Sequence, residues 1–97
     1  MTVETRSGMF AVYNISAPTV VKTTGGRLVQ VSIITPGASA GNAYDTNSTG
    51  SVGASNLIHS IPTSITASSP ILFLDWPCKT GITIVPGTGQ VLAVSFT

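Results

Sequence analysis

Apolar and polar residues alternate along most of this chain, and β-branched side chains are interrupted at short intervals by Gly, Pro, Asn and Ser. A period of two carries successive side chains to opposite faces of an extended backbone, so the pattern predicts strands. The first spans Met9–Ile15, and Ala17-Pro18 resets the chain into a second over 19–23. Thr24-Gly25-Gly26 is a turn, followed by a long strand over 27–35. After Pro36-Gly37 the chain is rich in Gly, Ala, Ser, Thr and Asn. There Tyr44 anchors a short strand over 42–46, and a single helical turn is expected over 52–56. Leu57–Ile61 forms another strand, ended by Pro62, and 71–76 a further one between Pro70 and Pro77, which marks it as an edge or a short strand. Finally, 81–85 and 90–96 flank Pro86-Gly87-Thr88-Gly89 and read as a hairpin.

Within the long strand, simple alternation puts Val29, Val31 and Ile33 on a core face and Leu28, Gln30, Ser32 and Ile34 on the other. Ile82 and Ile84 face one way, with Leu92, Val94 and Phe96 as the matching core row, yet Val91 and Ala93 on the opposite row are apolar too. Such a two-sided last strand suits a central position or a subunit contact. The expectation is all-β: a small single-domain β-sandwich or jelly-roll-like barrel of about seven to eight short antiparallel strands over 9–97, preceded by an N-terminal arm, 1–8.

Composition changes the picture from a domain to a component. Four basic and three acidic residues serve 97 positions that are 42% hydrophobic, with a mean hydropathy of +0.44. An ordinary soluble domain is about one-quarter charged. Here Ser and Thr, 26 of the 97 residues, and the surfaces of neighbouring subunits must cover the apolar area. The net charge of +1 comes from scattered residues, Arg6, Lys22, Arg27 and Lys79 against Glu4, Asp45 and Asp75, which argues against nucleic acid or an anionic membrane as partner. The lone Cys78 excludes an intramolecular disulfide and fits a reducing compartment. The amino terminus lacks the basic start and apolar run of a secretory signal, and the longest apolar runs are a few residues, so neither Sec export nor a spanning helix is expected.

Candidate chemistry is sparse. His59 is the single histidine, so a multi-histidine metal site is excluded within one subunit, and a triad drawn from His59, Asp45 or Asp75 and one of many serines has almost no specificity. His59 is better read as a strand residue at a surface or subunit contact. Lys79 beside Cys78 would favour the thiolate, but no Cys-His or Cys-x-x-Cys signature accompanies it, and a small packed residue is the simpler reading. Gly87-Thr88-Gly89 precedes a strand where a dinucleotide fingerprint opens a helix, and Gly25-Gly26-Arg27 lacks the P-loop ending. Asn14-Ile15-Ser16 and Asn47-Ser48-Thr49 match a glycosylation sequon by composition alone. No catalytic, cofactor-binding or metal-binding residue is assigned, no cofactor is expected, and the chain reads as a non-enzyme.

Three segments carry a resemblance. Gly81-Ile82-Thr83-Ile84-Val85-Pro86-Gly87-Thr88-Gly89-Gln90 with the strand after it resembles the ending of small virion-associated proteins encoded among the structural genes of tailed bacteriophages. Thr24-Gly25-Gly26-Arg27-Leu28-Val29-Gln30-Val31 and Gly41-Asn42-Ala43-Tyr44-Asp45 are similar to the same group, whereas Cys78 and Phe96 depart from it. The resemblance implies a capsid decoration, head-fibre or other accessory component. It further implies a small β-sandwich, made in the host bacterial cytoplasm and located in the virion, that acts as a homo-oligomer, a trimer by preference, on the major capsid protein or another virion protein. Candidate interface anchors are Phe10, Tyr13, Tyr44, Trp76 and Phe96, some of which must be core. The alternative is a carbohydrate- or receptor-binding module of a phage fibre that uses the loop 37–55 or an exposed Trp76 beside Asp75.

Overall fold

The structure, a computed structural model, describes residues 2–6, 9–63 and 71–97. Pro70, expected to bound a strand, lies outside them. Among the described residues there are nine strands: β1 Thr2–Arg6, β2 Met9–Ile15, β3 Thr19–Lys22, β4 Gly26–Thr35, β5 Gly41–Tyr44, β6 Leu57–Ile61, β7 Ile71–Cys78, β8 Ile82–Val85 and β9 Val91–Phe96. Two single 3₁₀ turns, Thr49–Ser51 and Ala54–Asn56, lie between β5 and β6. The sheets are ordered β1-β2-β9-β4-β7 and β3-β8-β5-β6, with every pair antiparallel.

Strands β2 to β9 pair as a nested ribbon: β5 with β6, β4 with β7, β3 with β8, β2 with β9. Folding that ribbon over on itself puts alternate pairs in opposite sheets, which is the jelly-roll order and an eight-stranded sandwich. The chain's remaining strand, β1, extends the first sheet at its edge. The segment 1–8, read from sequence as an arm, therefore contributes a strand paired with β2.

The core lies between the sheets. From the larger one come Val12, Ile15, Leu28, Val31, Ile33, Leu92, Val94 and Phe96; from the smaller, Ala43, Ile61, Ile82 and Ile84. Each fully buried aliphatic side chain of this size contributes about 1.5–3 kcal/mol relative to exposure. Leu28 is inside and Val29 is not, the reverse of what simple alternation gives. The register explains it: Leu28 faces Phe96 and Gln30 faces Ser95, so Val29 is an extra residue in a β-bulge that switches the faces of β4.

The last two strands are corrected as well. Instead of pairing with each other, β8 lies between β3 and β5 in one sheet and β9 between β2 and β4 in the other. Pro86-Gly87-Thr88-Gly89 is thus a crossover. It is pinned to the loop before β5, because Ala38 N–H donates to the Thr88 carbonyl at 2.8 Å and Thr88 N–H to Ser39 Oγ at 3.0 Å. A side chain on Gly87 would collide with the Ser39 carbonyl oxygen, and Gly89 holds φ at +75°. The expected core rows nonetheless meet, with Ile82 and Ile84 in one sheet facing Leu92, Val94 and Phe96 in the other. The fully buried Gln90 closes this corner: its Oε1 accepts from Gly87 N–H at 3.0 Å and its Nε2 donates to the Pro62 carbonyl at 2.8 Å.

Candidate interaction surfaces

Three of the five sequence-derived anchors fall in one transverse row of the larger sheet. Phe10 on β2 faces Phe96 on β9, which faces Leu28 on β4, which faces Trp76 on β7. Directly opposed residues share a face, so the row lies on the core side at one end of the sandwich. Its middle is closed and its flanks are open: Phe96 is 5% exposed and Leu28 fully buried, whereas Phe10 is 36% and Trp76 50% exposed. Phe96 is therefore a core residue, and it supports Phe10 by stacking at a centroid distance of 5.4 Å. Trp76 sits on an edge strand just after Asp75, whose φ of 46° falls at the register shift in the pairing of β7 with β4.

Tyr13 belongs to a different surface. The outer face of the larger sheet has a floor of small or uncharged residues, Ala11, Gln30, Ser32, Ala93 and Ser95, around a shallow depression of about 140 Å³ with Tyr13 as one wall. A bulge in β2 opposite Ala93, with Asn14 at a φ of 59°, sets this part of the strand. Tyr13 is 44% exposed, and Ile34, which follows the inward Ile33 on β4, is 60% exposed. Sequence reading placed Ile34 off the core face without singling it out. At one end of this face Arg27 Nε lies 3.7 Å from Asp75 Oδ1, an exposed pair of small energetic weight.

Tyr44 lies on the smaller sheet, between Leu57 on β6 and Thr83 on β8, and is half-buried. Leu57 beside it is exposed, while Thr83 is fully buried and donates its hydroxyl to the Thr46 carbonyl at 2.8 Å. The five anchors therefore occupy three locations.

The titratable groups have structural surroundings. The Asp45 carboxylate accepts from the backbone N–H groups of Lys79 at 2.9 Å, Thr80 at 2.8 Å and Gly81 at 3.3 Å. Burial pushes its pKa upward, but these three bonds and the Lys79 ammonium outweigh that and hold it below the ordinary carboxylate value. Cys78 is buried, and burial, helped by the Asp45 carboxylate, raises its pKa to about 11. Such a thiol is overwhelmingly protonated at neutral pH and a poor nucleophile. His59 is exposed on the edge strand β6. No group of three or more His, Cys, Asp or Glu side chains suited to a metal ion occurs among the described residues, and no helix among them is long and apolar enough to cross a membrane.

The loop 37–55 folds into β5 and the two 3₁₀ turns. Ser48 Oγ accepts from Gly50 N–H at 3.2 Å, and Asn56 clips the second turn, its Oδ1 accepting from Gly53 N–H at 3.0 Å and its Nδ2 donating to the Ser51 carbonyl at 2.8 Å. No known protein family, curated protein or solved structure matches the chain.

Proposed function

We propose that this protein is a non-enzymatic structural component of a bacteriophage particle, a capsid decoration or cement protein that binds the capsid lattice as a homo-oligomer. The observation that carries the reading is the exposure of large aromatic side chains on a jelly roll with very few charges. Phe10, stacked on the buried Phe96, and Trp76 flank one end of the sandwich, and aromatic side chains of this kind, with two side-chain torsions each, would bind a partner at little cost in side-chain entropy. The jelly-roll order supports the reading by analogy, since viral capsid domains use it, as do lectins and cupins. Many copies on one lattice let a modest contact suffice for each.

Particles purified from a lysate that produces the chain are expected to contain it in many copies, and the purified chain is expected to sediment with capsids stripped of it. Phe10→Ala and Trp76→Ala should each weaken that binding about tenfold or more. Absence of the chain from purified particles would overturn the reading.

A second reading, a carbohydrate- or receptor-binding module of a phage fibre, is favoured by the exposure of Trp76 beside Asp75. Against it, the described depression lies at Tyr13 rather than at Trp76, and the Asp75 carboxylate already faces Arg27. Glycan-dependent quenching of Trp76 fluorescence would decide for this second reading.

A further inference from the structure

We propose that two copies of this chain associate face to face through the outer surface of the five-stranded sheet, Tyr13 of each seated in the depression over β9 of the other. The inference rests on the self-association in the reading above and not on the particle.

Area selects the face. Its five strands hold 5, 7, 10, 8 and 6 residues, which at about 3.3 Å per residue and about 4.8 Å between strands give about 570 Å², close to the ~600 Å² each partner contributes at the low end of stable interfaces. The smaller sheet, with four strands of four or five residues, offers only about 300 Å² by the same measure.

Shape and charge select a second copy as the occupant. A two-fold contact requires one patch to carry both a projection and a matching recess. Here Tyr13 projects and the neighbouring floor is recessed by about 140 Å³. That volume is close to the ~150 Å³ of an engineered cavity that takes up one benzene ring. None of the described residues lining the recess is charged, and the charged positions of the sheet lie on the edge strand β1, as Glu4 and Arg6, or at one end, as the Arg27 and Asp75 pair. An uncharged centre with a polar rim is the layout of a protein interface. Such a face meets its own copy without burying a like charge.

Light scattering on the full-length chain tests this. The wild type is expected to give twice the 9.9 kDa chain mass. Ala93→Arg, on the floor, and Tyr13→Asp, at the projection, should each weaken pairing at least about 100-fold and give the single-chain mass, while Leu57→Arg on the smaller sheet keeps the pair. Circular dichroism and a cooperative thermal transition establish that each variant is folded. If Ala93→Arg does not fold, Tyr13→Asp, at a half-exposed position, carries the comparison. A wild-type single chain at millimolar concentration, a trimer, a folded Tyr13→Asp that stays paired, or dissociation by Leu57→Arg would each overturn the assignment. A single-chain wild type that still sediments with capsids overturns this contact and leaves the particle reading standing, and loss of that sedimentation in Tyr13→Asp would give the face to the capsid instead. A pair that is absent from particles does the reverse.

Discussion

Asp45 shows how one side chain serves as an anchor in a chain with three acidic residues. Its carboxylate gathers the N–H groups of Lys79, Thr80 and Gly81, fixing the approach to β8 against the end of β5. Because the folded-state pKa lies below the ordinary carboxylate value of 3.8, the stabilisation is fully present above about pH 4 and is lost as pH falls through the lowered value. Asp45→Asn is expected to cost about 2 kcal/mol at pH 7, as charge-assisted bonds are weakened. The difference should shrink as pH falls through the lowered value and the wild-type carboxylate takes up its proton. Parallel curves for the two proteins in urea denaturation from pH 7 to pH 2 would contradict this role. The sequence offered Asp45 as a possible triad acid and as the end of the Gly41–Asp45 segment but not as an anchor, since its partners lie more than thirty positions away.

In β4 the bulge decides which residues are load-carrying in the core. Leu28→Ala should destabilise by about 3 kcal/mol, whereas Val29→Ala should cost about 1 kcal/mol or less, and equal losses in denaturant titrations would refute the register. Alternation located the strands well: Met9–Ile15 and Leu57–Ile61 end where expected, and the central position of β9 follows from its two apolar rows. The Gly41-Asn42-Ala43-Tyr44 strand and the turn at Ala54–Asn56 were legible from Tyr44 and the local composition. Two things were not. An inserted residue that flips a strand leaves the hydrophobic count unchanged, so only the pairing partner reveals it. Likewise, a four-residue loop with two glycines serves a hairpin and a crossover between sheets equally well, and the packing of Gly87 on Ser39 is a tertiary fact. The aromatic candidates could be named from the sequence, but their division among a buried Phe96, an open end with Phe10 and Trp76, and the Tyr13 face required the register.

For the whole molecule, the proposed pairing through the outer face of the larger sheet would tie stability to association. If copies pair, unfolding is linked to dissociation, and a 100-fold dilution should lower Tm by roughly 5–7 °C for a dimer of this size. Calorimetry at two concentrations reads this directly, and a Tm independent of concentration would show that the fold stands alone. The nested pairing has its own kinetic meaning. Within the ribbon of β2 to β9, the turn region between β5 and β6 closes the shortest loop, and each further pair, β4 with β7, β3 with β8 and β2 with β9, encloses the one before. Loop-closure cost grows only slowly once an inner pair holds. The chain should therefore zip from its middle toward its ends, slowly for its length because nearly every pairing is non-local. The last seam to close is then β2 on β9, so early steps leave the Tyr13 face unbuilt and copies can meet through it only after each has folded.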